Sequence, residues 1–246
     1  MSVARLGTSD SRAAARRLEF LDKIEYRLAE TNAERDAIYR LRYRAYLKEG
    51  AIEPNSSGTV TDRYDNLANS WVLGIFFEDV LTSSLRITVA SPKHTDCPSM
   101  DVFPDFVRPW LATEKVIVDP TRFVADPLRA NHLPELAYLT LRLAYVACEH
   151  FHADIGLATV RAEHQAFYRR FFMDTLSPPR PYPGLKKPIG LMTFDYPGSH
   201  AKVFARYPFL RSTPFERRML FNRRIDREGP TLLRTDASGG APLAAG

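Results

Sequence analysis

A chain of 246 residues, 45% hydrophobic and 26% charged, can bury one sizeable core, and we expect a single folded domain over residues 19–228. The arm 1–18 and the Gly-, Ala- and Ser-containing tail 229–246 are predicted to be disordered. The 34 Lys and Arg against 29 Asp and Glu give a net charge of +5, which favours an acidic partner. Two cysteines are too few for a disulfide framework and make the cytoplasm the expected compartment, and the charges within the apolar run 133–151 argue against a membrane span.

The first predicted elements are a strand and a helix. Residues 24–30 alternate between apolar and polar side chains, as a strand does. Thr31 or Asn32 can then cap a helix that Gly50 ends. Arg42 lies at the edge of the apolar stripe of this helix, so its guanidinium is predicted to point inward.

A guanidinium without a partner is costly to bury, so carboxylates should lie near Arg42. Asp62 and Asp65 follow one polar connection downstream. The next alternating segment, 81–89, places Arg86 on the polar face of a strand. Two arginines and two aspartates from a helix, a loop and a strand suit a pocket for a zwitterion. The alternative is that they form structural salt bridges without any ligand.

The remaining pattern alternates between strands and helices. A nearly continuous apolar strand, 71–77, joins the strand of Arg86 through a two-residue break, as in an antiparallel hairpin. Later elements are an irregular helix at 100–110, a long helix at 131–152, strands at 155–160 and 188–195, a helix at 162–172, and a helix that opens at a capping box over 213–216. This order predicts an α/β (α+β) fold with one mixed sheet flanked by helices.

One short strand carries a candidate catalytic carboxylate. Residues 114–119 read as a strand with Glu114 on one face. Pro120 and Pro127 are then expected to prevent regular structure, which would hold Arg122 near the end of the strand.

Three separate pieces of sequence carry a resemblance to a known family. YRLRYRAY at 39–46, TDRYD at 61–65 and SSLRI at 83–87 are similar in type and spacing to N-acyl amino acid synthases of the FeeM type. They are more distantly similar to acyl-homoserine lactone synthases. The resemblance runs from about residue 31 to residue 197 and implies a GNAT-like fold.

The resemblance also implies which residues surround the acceptor. Arg42, Tyr46, Asp62, Asp65 and Arg86 match, one by one, an arginine and an aromatic on the first helix, a D-x-x-D pair and an arginine on a following strand.

The implied reaction moves a fatty acyl group from a carrier thioester to the α-amine of an amino acid. Arg86 or Arg42 would hold the substrate carboxylate, with Arg122 as a further binding residue, and Glu114 would take the amine proton through water. Backbone N–H groups beside splayed strands would stabilise the oxyanion. Tyr168 matches a tyrosine that many GNAT enzymes place near the departing thiol, where it could protonate the thiolate. Its alternative use is packing within the helix.

Departures from the lactone synthases favour an amino acid acceptor over S-adenosylmethionine. Those synthases carry an acidic residue at the position of Val60, and a glutamate and an arginine where this chain has Ala112 and Lys115. VDPTRFVADP at 118–127 is closer to the FeeM type. A lactone synthase that uses S-adenosylmethionine is the alternative within this class.

The segment DPLRANHLPE at 126–135 bears on the acyl donor. Ordinary GNAT enzymes bind the coenzyme A pyrophosphate with a glycine-containing loop before the long helix, and this segment has no glycine. We therefore expect no bound cofactor, and acyl-phosphopantetheine on an acidic acyl carrier protein as the donor. Basic side chains would receive this partner, unless they only form a solvated face: Arg169, Arg170, Arg217 and Arg218, with Arg129, Arg211, Arg223 and Arg224.

Two further possibilities remain. One is an acetyltransferase that uses coenzyme A, and the other is a degenerate fold that binds acyl carrier protein or a lipid without chemistry. No metal site is expected, because His150 and His152 do not face each other on a helix. Nucleic acid is not expected as a partner.

Overall fold

The computed structural model describes residues 8–129 and 132–222. In these residues the helices are α1 (Thr8–Leu21), α2 (Asn32–Lys48), α3 (Pro104–Ala112), α4 (Leu136–His150), α5 (Gln165–Arg169), α6 (Tyr196–Arg206) and α7 (Pro214–Phe221). The strands are β1 (Ile24–Leu28), β2 (Ser70–Phe77), β3 (Val80–Ala90), β4 (Ile117–Ala125), β5 (Ile155–Val160), β6 (Asp174–Arg180) and β7 (Ile189–Asp195). Short 3₁₀ turns lie at Arg63–Asn66, Pro98–Asp101, Ala162–His164 and Pro208–Leu210.

These strands form one mixed sheet in the order β1-β2-β3-β4-β5-β7-β6. Neighbouring strands are antiparallel except β4 and β5, which are parallel and are joined by the crossover helix α4. The mixed sheet with flanking helices confirms the predicted α/β fold. Within the described ranges, no helix combines the length and the apolar character needed to cross a membrane.

The two faces of β3 belong to two different layers. The predicted hairpin is present, and its turn residues Glu78 and Asp79 have φ of 50° and 60°, as a two-residue hairpin turn with both central residues left-handed requires. Leu85 and Ile87 enter the main core with the apolar side chains of α4. Arg86 points to the opposite face of the sheet, which α2 covers.

Local signals set the ends of α2 as predicted. The Thr31 hydroxyl accepts a hydrogen bond from the Glu34 N–H at 3.2 Å, and the Glu34 carboxylate accepts one from the Thr31 N–H at 2.9 Å, which completes a capping box. Gly50, with φ of 61°, follows the last turn. The helix thereby buries Ile38 and Arg42 against the sheet.

The parallel strands β4 and β5 separate soon after they begin. They pair only at Ile117 with Ile155 and at Val118 with Gly156. Beyond Val118, β4 pairs with β3 alone, so the edge that faces β5 opens onto a cleft.

The continuation of β4 corrects a prediction. The strand does not stop at Pro120 but runs through it to Ala125. A proline lacks an N–H donor, and β4 tolerates it where only one side of the strand has a partner. A register shift opposite Ser84 and Arg86 adds one residue to β4, and Arg122 takes φ of 56° at this bulge.

The first helix, α1, begins at Thr8, within the arm 1–18 that the sequence predicts to be disordered. Tertiary contacts hold this helix: Arg17 Nε donates to Glu135 Oε2 at 2.8 Å, and the Arg17 guanidinium lies 3.8 Å from the centre of the Tyr138 ring. Residues 1–7 and the tail 229–246 lie outside the described residues. The domain limits 19–228 remain a prediction.

Other elements differ in extent or were not predicted. The predicted helix at 162–172 is a 3₁₀ turn followed by the short α5, and α4 begins at Leu136. The edge strand β6 contains Pro178 and Pro179, which hide it from a strand pattern. At α7, Thr213 Oγ1 accepts from the Glu216 N–H at 3.1 Å, but the Glu216 carboxylate pairs with Arg142, so half of the predicted capping box forms.

Candidate active site

A cavity of about 430 Å³ occupies the cleft between β4 and β5. Its walls come from both faces of the sheet. Leu85 and Leu141 line it on the side of α4, and Tyr46 lines it on the side of α2. The volume lies within the range of small-molecule sites, and the cavity passes through the sheet where the strands separate.

A buried ionic network lies beside this cavity, under α2. Arg42 Nη1 donates to both oxygens of Asp65 at 2.9 Å, and both side chains are fully buried. Arg86, also fully buried, donates from Nη1 to Asp62 and, at 3.2 Å, to Asp65. The predicted pairing of two arginines with two aspartates is therefore present.

Arg122 extends the network to the cavity wall. Its Nε and Nη2 donate to Asp62 Oδ2 at 3.1 and 2.6 Å, and its side chain is 11% exposed. Arg86 Nε donates to Thr121 Oγ1 at 3.0 Å, so Thr121 and Arg122, two of the β4 residues that line the cavity, are both tied to the network. A left-handed φ is unfavourable at a residue other than glycine and needs surrounding contacts to stabilise it. The hydrogen bonds to Asp62 provide such contacts for Arg122, whose φ is 56°.

The arginines keep both carboxylates of the network ionised. Burial would raise the pKa of Asp62, but the charges of Arg86 and Arg122 outweigh it and lower the pKa to about 2. Burial likewise opposes ionisation of Asp65, yet Arg42 and Arg86 lower its pKa. Two carboxylates thus face three guanidiniums, which leaves the region cationic.

Asp119 is a buried carboxyl that sequence reasoning did not assign to the site. It follows the apolar start of β4, and burial raises its pKa although the Ser99 N–H donates to Oδ2 at 2.8 Å. Asp119 Oδ1 and Arg86 Nη2 have no hydrogen-bond partner among the described residues. The signal that could have found it was an acidic residue that ends an apolar run.

The predicted substrate-binding residues separate into two groups. Tyr46 and Arg122 line the cavity. Arg42, Asp65 and Arg86 do not line it and are fully buried beneath it. Asp62 does not line it either, and its side chain is 23% exposed. The second group therefore positions Arg122 and the wall of the cavity.

Glu114 corrects a prediction. It lies before β4 in a turn, with φ of 59°, because β4 begins only at Ile117. Its side chain is exposed and is not among those that line the cavity. The expected position of Glu114 on the strand is wrong, so nothing in the geometry supports it as the base.

Tyr168 lies in the cavity wall, on α5. Burial raises the pKa of its phenol, which keeps the proton on the oxygen. The ring also packs edge-on against Phe167, with 5.2 Å between ring centres. The ring of Tyr168 can therefore pack in the protein while its hydroxyl group remains available as a proton donor at the cavity.

The four predicted docking arginines lie in two places. Arg169 ends α5 and Arg170 follows it, and both are exposed beside the cavity. Arg170 Nη1 donates to the hydroxyl of Tyr138 near the start of α4. Arg217 on α7 pairs with Glu149 near the end of α4, at 2.9 Å. Eleven residues of helix separate these ends of α4, about 16 Å. Arg218 belongs to the distant group, on α7, and the residues 223 and 224 lie outside the described ranges.

Sequence reasoning missed three polar residues at the cavity. Arg161 Nη2 lies 2.7 Å from Glu49 Oε2 and 2.7 Å from His164 Nε2, and all three side chains line the cavity. Glu49 and Arg161 stand far apart in the chain, so no local pattern joins them.

The sequence matches the family model of the N-acyl amino acid synthase FeeM over residues 37–195, well over half of the chain. A search of curated protein sequences gave no match. Among solved structures, FeeM from uncultured soil microbes is similar with a TM-score of 0.63 at 16% identity, over 74% of this chain and 96% of that one. The acyl-homoserine lactone synthase LasI is similar with a TM-score of 0.50 at 12% identity, over 69% of this chain and 89% of that one. The CoA-dependent acyl-homoserine lactone synthase BjaI is similar with a TM-score of 0.51 at 14% identity, over 76% of this chain and 89% of that one.

The mixed sheet with an open cleft between its parallel strands is a GNAT-like fold, and the family match identifies the chain as an acyltransferase. The chain belongs to the family of FeeM-type N-acyl amino acid synthases. The resemblance read from the sequence is thereby confirmed.

Proposed function

We propose that this protein transfers a fatty acyl group from the thioester of an acyl carrier protein to the α-amine of an amino acid. The observation that carries the proposal is the cavity itself, which is apolar toward α4 and presents the guanidinium of Arg122 toward α2. Such a cavity suits an acyl chain at one end and an anionic acceptor at the other.

The acyl end is formed by side chains without charge. Leu85, Ala137 and Leu141 line it, and Phe167 closes it beside Tyr168. The thioester would lie between this region and the cleft edge of β4. Since β4 has no partner on that edge beyond Val118, its backbone supplies groups that can contact the thioester oxygen as charge develops on it.

The acceptor end is organised by Arg122. A guanidinium has five N–H donors, and Asp62 occupies those on Nε and Nη2. The remaining donors of Arg122 can bind the α-carboxylate of an amino acid. This places the substrate carboxylate on Arg122, in contrast to the earlier expectation of Arg86 or Arg42.

The reaction needs one nucleophilic step and two proton transfers. The neutral amine attacks the thioester carbon, the C–N bond forms and the C–S bond breaks. The nitrogen loses one proton to a base, and the departing thiolate gains one from the phenol of Tyr168. The products are an amide and the free thiol of the carrier.

Two features support a carrier protein over coenzyme A as the donor. The carboxylate of Glu135 lies at the N-terminus of α4, where GNAT enzymes hold a pyrophosphate, and it pairs there with Arg17. Glu135 thereby occupies the arginine that a diphosphate could otherwise bind at that end. Arg169 and Arg170 are exposed beside the cavity and complement an acidic carrier.

The proposal keeps the cytoplasmic location expected from the cysteine usage, since Cys97 and Cys148 are both buried free thiols.

Expression in a bacterial host tests the function. Culture extracts are examined by mass spectrometry for N-acylated amino acids, with Tyr168→Phe expressed in parallel as a chemical control. A series of products that differ by two-carbon units on one amino acid, and that is diminished by Tyr168→Phe, supports the proposal. A lactone derived from S-adenosylmethionine, or an N-acetylated product alone, contradicts it.

A further inference from the structure

We infer that Glu49 binds the α-ammonium group of the acceptor and accepts its proton. This inference rests on the proposed function, because it names a residue for the amine of the same acceptor. Among the described residues that line the cavity, Glu49 is the one carboxylate. It takes the place that Glu114 cannot fill.

The backbone fixes Glu49 while one carboxylate oxygen is left available. Glu49 is the C-terminal cap of α2, and its N–H donates to Ala45 O at 3.1 Å. Oε2 accepts from Arg161 at 2.7 Å, and Oε1 accepts from no residue that the structure describes. The side chain is half exposed, which gives a proton a path to solvent.

Glu49 and Arg122 act on one face of the cavity. Tyr46 and Glu49 are three residues apart on α2, which places their Cβ atoms about 5–6 Å apart. The Arg122 guanidinium lies 5.7 Å from the centre of the Tyr46 ring. Tyr46 thus has both a carboxylate and a guanidinium as neighbours in the cavity wall, and this pair matches the two charges of an amino acid.

The charges around Glu49 come from several elements. Arg161 directly follows β5 and also pairs with Glu163 at 3.2 Å, and His164 lies in the 3₁₀ turn that comes next. Arg122 faces the same cavity from β4. An arriving ammonium would add a second cationic partner to the carboxyl group of Glu49, beside Arg161.

The other titratable groups in the cavity are not available to act as the base. Arg161 donates toward His164 Nε2, which occupies the lone pair that a base would need. Tyr168 must keep its proton for the thiolate. Glu49 therefore takes one proton as an N–H bond of the ammonium breaks and an O–H bond forms, and passes it to water. The neutral amine then attacks, and the Glu49 carboxylate accepts the second proton, which the nitrogen loses as the amide forms.

A binding experiment tests the inference without turnover. Each common amino acid is compared with its analogue that lacks the amine, by calorimetry on the wild type, Glu49→Gln and Glu53→Gln. Glu53 is a matched control, because it is 77% exposed, pairs with Lys186 and does not line the cavity. We expect the wild type and Glu53→Gln to prefer the bound amino acid over its analogue about tenfold, and Glu49→Gln to lose this preference. A wild type without the preference, or a Glu49→Gln variant that retains it, overturns the inference.

A kinetic experiment separates proton transfer from folding. At neutral pH, Glu49→Gln should reduce kcat about 100-fold, and the loss should shrink as rising pH makes the free amine neutral by itself. An unchanged pH profile overturns the role of Glu49 as base. If the wild type shows amine-dependent binding yet transfers no acyl group, the proposed function fails and the ammonium site stands.

Discussion

Asp62 joins Arg122 to Arg86, since one of its oxygens accepts from Nε and Nη2 of Arg122, at 3.1 and 2.6 Å, and the other accepts from Arg86. The carboxylate therefore connects the fully buried arginine of β3 to the arginine of the cavity wall. Through this link the buried network orients Arg122, the residue that we propose binds the acceptor carboxylate.

Asp62→Asn should weaken acceptor binding. Without the carboxylate, the Arg122 guanidinium loses the partner that holds it in place. We therefore expect KM for the amino acid to rise about tenfold, which corresponds to about 1.4 kcal/mol of binding free energy, with a smaller change in kcat. Steady-state kinetics with a saturating donor measure this. Asp36→Asn, which removes an exposed partner of Arg40, should change neither parameter. An unaltered KM in Asp62→Asn would separate Arg122 from acceptor binding.

The network should also make the free energy of unfolding depend on pH in the acidic range. The pKa of Asp62 is about 2 in the folded protein against an ordinary value of 3.8, so the unfolded state binds more protons between these values. Its contribution, about 2 kcal/mol, is complete above the unfolded value and is lost as the pH falls toward 2. Urea unfolding between pH 6 and pH 3 should show a steeper loss in the wild type than in Asp62→Asn. Parallel curves would contradict the assigned pKa.

Arg42→Met should act on stability and spare catalysis. Removing this guanidinium leaves Asp65 buried with one fewer partner, which should cost about 3–5 kcal/mol of unfolding free energy. Arg40→Met, at an exposed pair, should cost less than about 1 kcal/mol. In the folded fraction of Arg42→Met we expect KM for the acceptor to change less than in Asp62→Asn, and the opposite order would place Arg42 in direct contact with substrate.

Tyr168→Phe should lower kcat without a large change in either KM. Loss of a general acid typically costs 100-fold to 10,000-fold, and we expect the lower end, about 100-fold, because a thiolate is a good leaving group. The hydroxyl makes no hydrogen bond to a described residue, so thermal stability should change little. Tyr26→Phe is the matched control: its hydroxyl donates to Leu139 O at 2.7 Å, so stability should fall by about 1 kcal/mol while kcat is kept.

The carrier should dock beside α5. Arg169→Glu combined with Arg170→Glu should raise KM for an acyl carrier thioester about tenfold, because like charges then meet. KM for a small acyl-pantetheine thioester should be unaffected. Arg218→Glu, on α7, makes the same kind of substitution at one exposed residue of the other group and should leave both values unchanged. If only Arg218→Glu weakens the carrier, the docking surface lies on α7.

Local sequence patterns predicted several of the elements that position the site. The capping box at Thr31, the hairpin around Glu78 and Asp79, and the inward position of Arg42 each depend on neighbours within a few residues. The pairing of Arg42 with Asp65 followed from the cost of burying an isolated charge.

The errors come from tertiary context. β4 continues through Pro120 because β5 leaves it there, which no pattern within β4 reveals. Glu114 was placed by counting back along a strand that begins three residues later. Arg161 and Glu49 meet across 112 residues of chain, so only the folded structure brings them to one cavity.

The central claim is tested most directly with the purified protein and one acyl chain on two donors. An acyl carrier thioester and the matching coenzyme A thioester are each incubated with a pool of ¹⁵N-labelled amino acids, and the products are identified by mass spectrometry. We predict that the carrier thioester yields one N-acyl amino acid with the label in the amide, at least tenfold faster than the coenzyme A thioester. Intact carrier thioester in the presence of every amino acid would contradict the account.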